Sequence, residues 1–180
     1  MKKGRTLFLL ALSLVLCLTS CQTKKNYSVE LNYVQETIAQ YRITVFGNNG
    51  STLYETTLDF NPEFTILEDG ILQMRTGTGN VAQYHFFDVV NNKVSPIYEN
   101  PKLIKYGKIV YMAFDNQDVK LIVRDIFDES VFFKSYSRNF SKTGVLADIL
   151  TSAVFLDENT LHISYLVGEN FEEVQELLVL

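Results

Sequence analysis

Two histidines are the side chains of this 180-residue chain best suited to acid–base chemistry or to binding a metal. His85 and His162 each lie inside a stretch with the alternating pattern of a β-strand. A catalytic histidine needs a nucleophile and an orienting group converging on it, and neither a Gly-x-Ser-x-Gly nor a His-Glu-x-x-His motif accompanies either one. We therefore predict that both are structural residues of a sheet, and that the protein has no catalytic residue, metal ligand or cofactor.

The segment 76–80, Thr-Gly-Thr-Gly-Asn, is the part of the chain nearest to a phosphate-binding loop. It follows a predicted strand, but no helix begins after it and no Lys-Ser/Thr pair completes a P-loop. We interpret it as a flexible connection between structural units. A role as a mobile rim loop stays open.

Three acidic clusters offer carboxylates that calcium would need. They are Asp115 with Asp118, Asp125 with Asp128 and Glu129, and Asp157 with Glu158. None has the Asp-x-Asp-x-Asp-Gly spacing of a calcium loop, and carboxylates are ordinary in exposed turns. A carboxylate pair for sugar hydrolysis is defined in space, so the sequence neither indicates nor excludes one.

The beginning of the chain is organised like a secretory signal peptide. Lys2, Lys3 and Arg5 precede an apolar run from Leu7 to Leu18 that only Ser13 interrupts. A helix made from this run would be about 18 Å long. The hydrocarbon core of a bilayer is about 30 Å thick, so the run is too short to span it comfortably.

The run ends in Leu18-Thr19-Ser20-Cys21, which resembles the lipobox of bacterial lipoproteins. In that family a diacylglycerol is joined to the cysteine thiol, the leader is cut in front of the cysteine, and the new amino group is usually acylated. The resemblance implies a signal peptide over 1–20 and a lipidation site at Cys21. It also implies a place in the bacterial cell envelope, lipid-anchored to a membrane and facing away from the cytoplasm. The short polar stretch that follows predicts a tether over 21–26, and we predict a single domain over 27–180. An ordinary leader whose cysteine is incidental is the alternative.

Charge and cysteine content exclude several classes of function. The chain has 16 Lys and Arg against 21 Asp and Glu, a formal net charge of −5, and cleavage would remove three cations and leave −8. An acidic chain of this kind does not suit nucleic acid, which requires clustered cations. With Cys17 removed in the leader and Cys21 joined to lipid, no thiol is left for catalysis or for a cysteine-based metal site.

After the tether, short alternating or β-branched runs are separated by turn residues, which predicts strands and hairpins. The predicted strands are Ser28 to Val34, Tyr41 to Phe46, Thr52 to Asp59, Glu63 to Leu67, Ile71 to Arg75, Ala82 to Val89, Lys93 to Tyr98, Lys102 to Lys105, Lys108 to Phe114, Val119 to Arg124, Val131 to Tyr136, Ala153 to Leu156 and Leu161 to Leu166. Two stretches, 145–150 and 171–178, have helical spacing instead, the second with Asn170 as a possible N-cap.

Three segments align as weak repeats of strand, turn, strand, connector, strand, turn, strand. They begin at Tyr41, Tyr84 and Val119, which are 43 and 35 residues apart, the range of one four-stranded propeller blade. The pattern therefore resembles a run of β-propeller blades. We predict an all-β fold of antiparallel four-stranded meanders, with about three full units and a partial unit in which 28–34 pairs with 173–180. A β-sandwich or barrel would give the same alternation and is the alternative.

Aromatic residues are numerous, with 10 Tyr and 13 Phe, and they suit either sheet faces or a recognition surface. With no catalytic constellation in the sequence, we predict a non-catalytic envelope lipoprotein. Its β domain would bind a protein, peptide or glycan partner outside the cytoplasm. The alternatives are a small exported hydrolase or sugar-active enzyme with a site between blades, and a structural or assembly component of the envelope that pairs its strand edges with another chain.

Overall fold

The computed structural model describes residues 27–35, 40–59, 62–67, 70–78, 81–116, 118–142 and 145–180. The described residues form fifteen strands and one short helix. They are β1 Tyr27–Gln35, β2 Gln40–Gly47, β3 Thr52–Asp59, β4 Glu63–Ile66, β5 Ile71–Thr78, β6 Val81–Asp88, β7 Lys93–Val94, β8 Tyr98–Glu99, β9 Leu103–Lys105, β10 Lys108–Asp115, β11 Asp118–Asp125, β12 Phe133–Ser137, α1 Leu146–Ile149, β13 Leu150–Asp157, β14 Thr160–Val167 and β15 Glu172–Val179. The predicted leader, Cys21 and the tether lie outside the described residues. Within the described ranges, no helix has the length and apolar character that crossing a membrane requires.

The strands form four antiparallel sheets that follow one another along the chain. Sheet 1 has the order β1-β2-β3, sheet 2 the order β4-β5-β6-β7 with β8 also on β6, sheet 3 the order β12-β11-β10-β9, and sheet 4 the order β13-β14-β15. Each sheet is a meander of hairpins between neighbouring strands. The prediction of an all-β fold built from antiparallel meanders is confirmed, and the described strands form separate sheets rather than one closed barrel.

The boundaries of the predicted repeat units do not coincide with the boundaries between the sheets. The unit that begins at Tyr41 joins the last hairpin of sheet 1, β2–β3, to the first hairpin of sheet 2, β4–β5. The other two units cross sheet boundaries in the same way. A weak repeat has the same period wherever its start is placed, so the sequence predicts the hairpins but not their grouping into sheets.

The predicted pairing of 28–34 with 173–180 is wrong. β1 pairs with β2, and β15 pairs with β14 in register from Thr160 against Val179 to Val167 against Glu172. A short hairpin loop closes at a smaller entropic cost than a contact between distant parts of the chain. The two segments therefore belong to different sheets.

One of the two predicted helices is present. The stretch 145–150 contains α1, with Ile149 buried, whereas the stretch 171–178 is the strand β15. In β15 the buried Leu178 alternates with the exposed Leu177 and Val179, and Phe171 lies in the preceding turn with a φ of 55°. Pairing with β14 thus decides the conformation of this stretch over its local helical spacing.

Among the described residues, buried apolar side chains form three cores, each between two successive sheets. The core between sheets 1 and 2 is built on Ile43, Val45, Leu72, Met74 and Phe87. The core between sheets 2 and 3 is built on Phe86, Tyr98, Ile109 and Ile126, and the largest core, between sheets 3 and 4, includes Val110, Leu121, Phe155, Leu161 and Leu178. Sheets 2 and 3 are therefore covered on both faces.

Tyr98 links sheets 2 and 3 within the core that they share. Its hydroxyl donates a 2.6 Å hydrogen bond to the backbone carbonyl of Ile126, and its ring lies 5.5 Å from that of Tyr111. Burial raises the pKa of Tyr98 to about 12, against the opposing effect of the Arg124 guanidinium. The folded state therefore holds the phenolic proton more tightly than the unfolded chain does.

This proton predicts an alkaline loss of stability. Tyrosine in the unfolded chain ionises near pH 10, so the contribution of Tyr98 is complete below pH 10 and is lost as the pH rises from about 10 to about 12. We expect Tyr98→Phe to lower the free energy of unfolding by about 1 to 3 kcal/mol at pH 7, because the carbonyl of Ile126 loses its donor. We also expect the free energy of unfolding of this variant to fall less over this pH interval than that of the original protein, because the phenylalanine has no proton to lose. Urea unfolding of both proteins at pH 7, 10 and 11 measures this, and parallel pH profiles would contradict the assignment.

Candidate functional site: a cleft at three hairpin turns

The two histidines lie in strands, as predicted, and the structure does not bring them together. His85 lies in β6 between sheets 1 and 2, with its ring 6.0 Å from that of Tyr54. Burial lowers the pKa of His85 from its ordinary value, and a hydrogen bond with the backbone of Ser95 acts in the opposite direction. His162 lies in β14 of sheet 4, paired with Val154 and Leu177. In the described residues, no three His, Cys, Asp or Glu side chains are grouped so that they could hold a metal ion.

The interpretation of the glycine-rich segment as a connection between units is wrong. Its residues 76–78 are the end of β5 and pair with β6 of the same sheet, and residues 79–80 lie outside the described residues. Gly77 has a φ of 108°, and a Cβ there would lie 2.3 Å from the carbonyl oxygen of Val81. The glycine is needed because the neighbouring strand's backbone approaches too closely for any side chain.

Several carboxylates of the acidic clusters organise turns. Asp125 accepts hydrogen bonds from the backbone N–H groups of Phe127 and Asp128, each at 2.8 Å. Asp128 accepts from the hydroxyl and the backbone N–H of Ser130, which lower its pKa. Asp157 accepts from the backbone N–H of Asn159, which lowers its pKa in turn. These side chains form Asx turns, in which an aspartate carboxylate accepts hydrogen bonds from backbone N–H groups a few residues later.

A cleft of about 720 Å³ lies where three hairpin turns meet, and we call it the turn cleft. The turns are β4–β5, β9–β10 and β13–β14, each the first hairpin of its sheet, in sheets 2, 3 and 4. The lining residues are Ile66, Leu67, Ile71, Ile104, Lys105, Tyr106, Gly107, Ile126 and Glu158. Equivalent parts of three successive sheets therefore form one concave surface.

The floor of the turn cleft is aliphatic and firmly supported. Ile71 and Ile104 pack against the core between sheets 2 and 3, and Ile126 belongs to that core with 1% of its surface exposed. Ile66, by contrast, is 44% exposed although it is a large apolar residue. The cleft therefore exposes apolar surface to solvent, and its floor is packed against the core between sheets 2 and 3.

The rim of the turn cleft is built on the two-residue turn Tyr106-Gly107. Both residues have positive φ, 55° and 67°, as a type I′ hairpin turn requires. The Tyr106 ring meets that of Phe155 edge-on at 5.7 Å, and the ammonium of Lys105 lies 4.7 Å from its centroid. Opposite charges flank the opening, because Glu158 lines the cleft from sheet 4.

The sequence shows these three turns but not that they converge. One signal was present: Tyr106 precedes Gly107 at a position where type I′ turns favour Asn, Asp or Gly. A bulky residue in the left-handed region is uncommon, and Tyr106 is also 40% exposed.

The volume and lining of the turn cleft suit the binding of a small apolar group. Ligand pockets in proteins measure roughly 300 to 1,000 Å³ and combine apolar walls with a few polar groups. Among the described residues, the polar side chains that line this one are Lys105, Tyr106 and Glu158, and no histidine, cysteine, serine or threonine lines it. Comparison of the chain with protein-family models, with curated proteins and with solved structures finds no match.

Proposed function

We propose that this chain is a lipid-anchored protein of the bacterial cell envelope that binds an exported peptide segment in the turn cleft without catalysing a reaction on it. The observation that carries the proposal is the cleft itself, with its supported aliphatic floor and partly exposed Ile66. The lipobox-like ending Leu18 to Cys21 supports the anchoring and the place outside the cytoplasm.

A peptide segment fits the lining better than a glycan does. The isoleucines and Leu67 offer a surface for an apolar side chain. Sugars stack on exposed aromatic rings, and Tyr106 is the one aromatic residue among the described residues of the lining. Lys105 and Glu158 provide charges of both signs that can meet the polar groups of a peptide backbone. The proposal does not extend to a hydrolase, because the described residues that line the cleft include no nucleophile with a neighbouring base.

Photo-crosslinking in intact bacteria tests the proposal. The photoreactive amino acid p-benzoylphenylalanine replaces Ile66 in the full-length chain, and in a matched control it replaces Val94, which is 43% exposed and does not line the cleft. We expect a heavier adduct from position 66, with peptide sequence identified in it by mass spectrometry, and none from position 94. Equal yields at the two positions, or no adduct at position 66, would overturn the proposal.

A pair of turn substitutions separates binding from folding. Tyr106→Asn removes the rim ring but keeps a residue that tolerates positive φ, so relief of backbone strain should offset part of the lost ring contact. We expect the adduct yield from position 66 to fall at least fivefold, while the free energy of unfolding changes by less than about 1 kcal/mol. Phe171→Asn is the control, since Phe171 has the same φ of 55°, is 49% exposed and lies in another turn. It should leave the yield unchanged.

A further inference from the structure

The two ends of the domain are defined by the turns at either end of the strands in sheet 2. Ile71, which lines the turn cleft, pairs with Asp88 at the end of β6. At the other end of the same hairpin, Thr78 pairs with Val81. We call the first of these the cleft end of the domain and the second the far end.

Contacts between sheets 1 and 2 fix the direction of β3. Tyr54, near the start of β3, stacks at 4.7 Å on Phe87, which lies at the cleft end of β6. Leu58, near the end of β3, lines a small cavity together with Thr76 and Gln83, which pair with each other towards the far end. β3 therefore runs from the cleft end to the far end.

The domain begins at the cleft end for this reason. The turn between β2 and β3 lies at the cleft end, because β3 starts there. Tyr27 pairs with Gly47, the last residue of β2, directly before this turn. The predicted tether thus joins the domain at the end that carries the turn cleft.

The tether is too short for the domain to turn over. From Cys21 to Asn26 it has six residues, which reach about 20 Å at most when fully extended. A strand of eight residues such as β6 is about 26 Å long. A domain of this length does not fit upside down between the end of the tether and the bilayer. A lipid on Cys21 therefore keeps the cleft end near the membrane.

Exposed apolar side chains do not distinguish the two ends. They are present at the cleft end, in Ile66, Val90 and Val131, and at the far end, in Val81, Phe114 and Phe171. Charge does not distinguish them either, since Lys105 and Glu158 line the same cleft. The attachment point of the tether is the feature that decides the orientation.

We propose, on the basis of the lipid anchor proposed above, that the turn cleft lies beside the membrane that holds the lipid. The peptide that it binds is then a segment next to a membrane-spanning part of its own protein. A segment held in the same membrane reaches the cleft at a high effective concentration. This suits a site with few polar groups to supply affinity.

Fluorescence quenching from the lipid surface tests the orientation. An introduced cysteine is the one free thiol of the mature protein, because Cys17 leaves with the leader and Cys21 carries the lipid. Bimane is attached to Val90→Cys at the cleft end or to Val81→Cys at the far end. The two valines flank β6 and are 75% and 52% exposed, so the labels differ mainly in their distance from the membrane.

The lipidated protein, purified from bacterial membranes, is inserted into the outer surface of phosphatidylethanolamine–phosphatidylglycerol vesicles that contain lipid with a nitroxide on its headgroup. We expect the label at position 90 to be quenched about threefold more strongly than the label at position 81, or more. Equal quenching, or stronger quenching at position 81, overturns the orientation and leaves the peptide proposal in place. A protein that does not float with the vesicles overturns the lipid anchor and the orientation with it.

A longer tether is the control for the cause of the orientation. An insertion of about twenty Gly and Ser residues between Asn26 and Tyr27 adds a flexible reach of about 25 Å, enough for the domain to turn over. It should at least halve the difference in quenching between the two positions. An unchanged difference contradicts the role of the short tether.

The adduct formed at position 66 tests the kind of partner. Its crosslinked peptide should lie within about 15 residues of a membrane-spanning segment, since a stretch of that length covers about 20 Å even when it is helical. A peptide from a soluble exported protein would overturn this choice of partner, although it would support peptide binding in the cleft.

Discussion

Replacement of Cys21 with alanine should abolish the incorporation of radioactive palmitate into the protein and weaken its hold on the membrane. The lipobox-like ending implies that the thiol of Cys21 carries a diacylglycerol. Each buried methylene of an acyl chain contributes about 0.8 kcal/mol to membrane binding, so two or three chains give stable anchoring. The loss of all of them is the largest single effect that we expect in this chain.

Cys17→Ala is the matched control for this experiment, because Cys17 lies four residues earlier, within the apolar run. We expect it to keep the palmitate label and the membrane association of the unaltered protein. Label is measured on the immunoprecipitated protein, and association by comparing the membrane and soluble fractions. Label that persists in Cys21→Ala and disappears in Cys17→Ala would show that the lipid is on another residue and that the resemblance to a lipobox is misleading.

Strands were predictable wherever the signal is local. Thr52–Asp59 has the predicted bounds, because an alternating run is delimited by Gly50 on one side and by Asn61-Pro62 on the other. β15 shows the limit of this approach. Leu177 and Leu178 fit a helical face or a strand equally well, and only the partner β14 decides between the two.

Grouping of the hairpins into sheets was not predictable from local pattern. The sequence between β3 and β4 resembles a connector within a unit, yet the chain passes there from sheet 1 to sheet 2. The turn cleft is hidden for the same reason, since Ile66, Ile104 and Glu158 belong to three sheets and are far apart in the chain. A site defined by the meeting of separate turns has no signature in any one of them.

Phe86 and Phe87 provide the most direct test of the layered arrangement. The two residues are consecutive in β6, so their side chains point to opposite faces of sheet 2, and both are 0% exposed. Phe87 stacks on Tyr54 of sheet 1 at 4.7 Å, whereas Phe86 packs against Tyr98 in the core shared with sheet 3. Each should therefore lie in a different core.

We expect Phe86→Ala and Phe87→Ala each to lower the free energy of unfolding by about 3 to 5 kcal/mol, the cost of removing a buried phenylalanine ring and leaving a cavity. Phe114→Ala is the control, because Phe114 is 62% exposed. It should lower the free energy of unfolding by less than about 0.5 kcal/mol. Denaturant unfolding followed by circular dichroism measures all three. A sheet covered on one face only would make one of the two buried substitutions as mild as the control, so a large cost for only one of them would contradict the packing of sheet 2 between sheets 1 and 3.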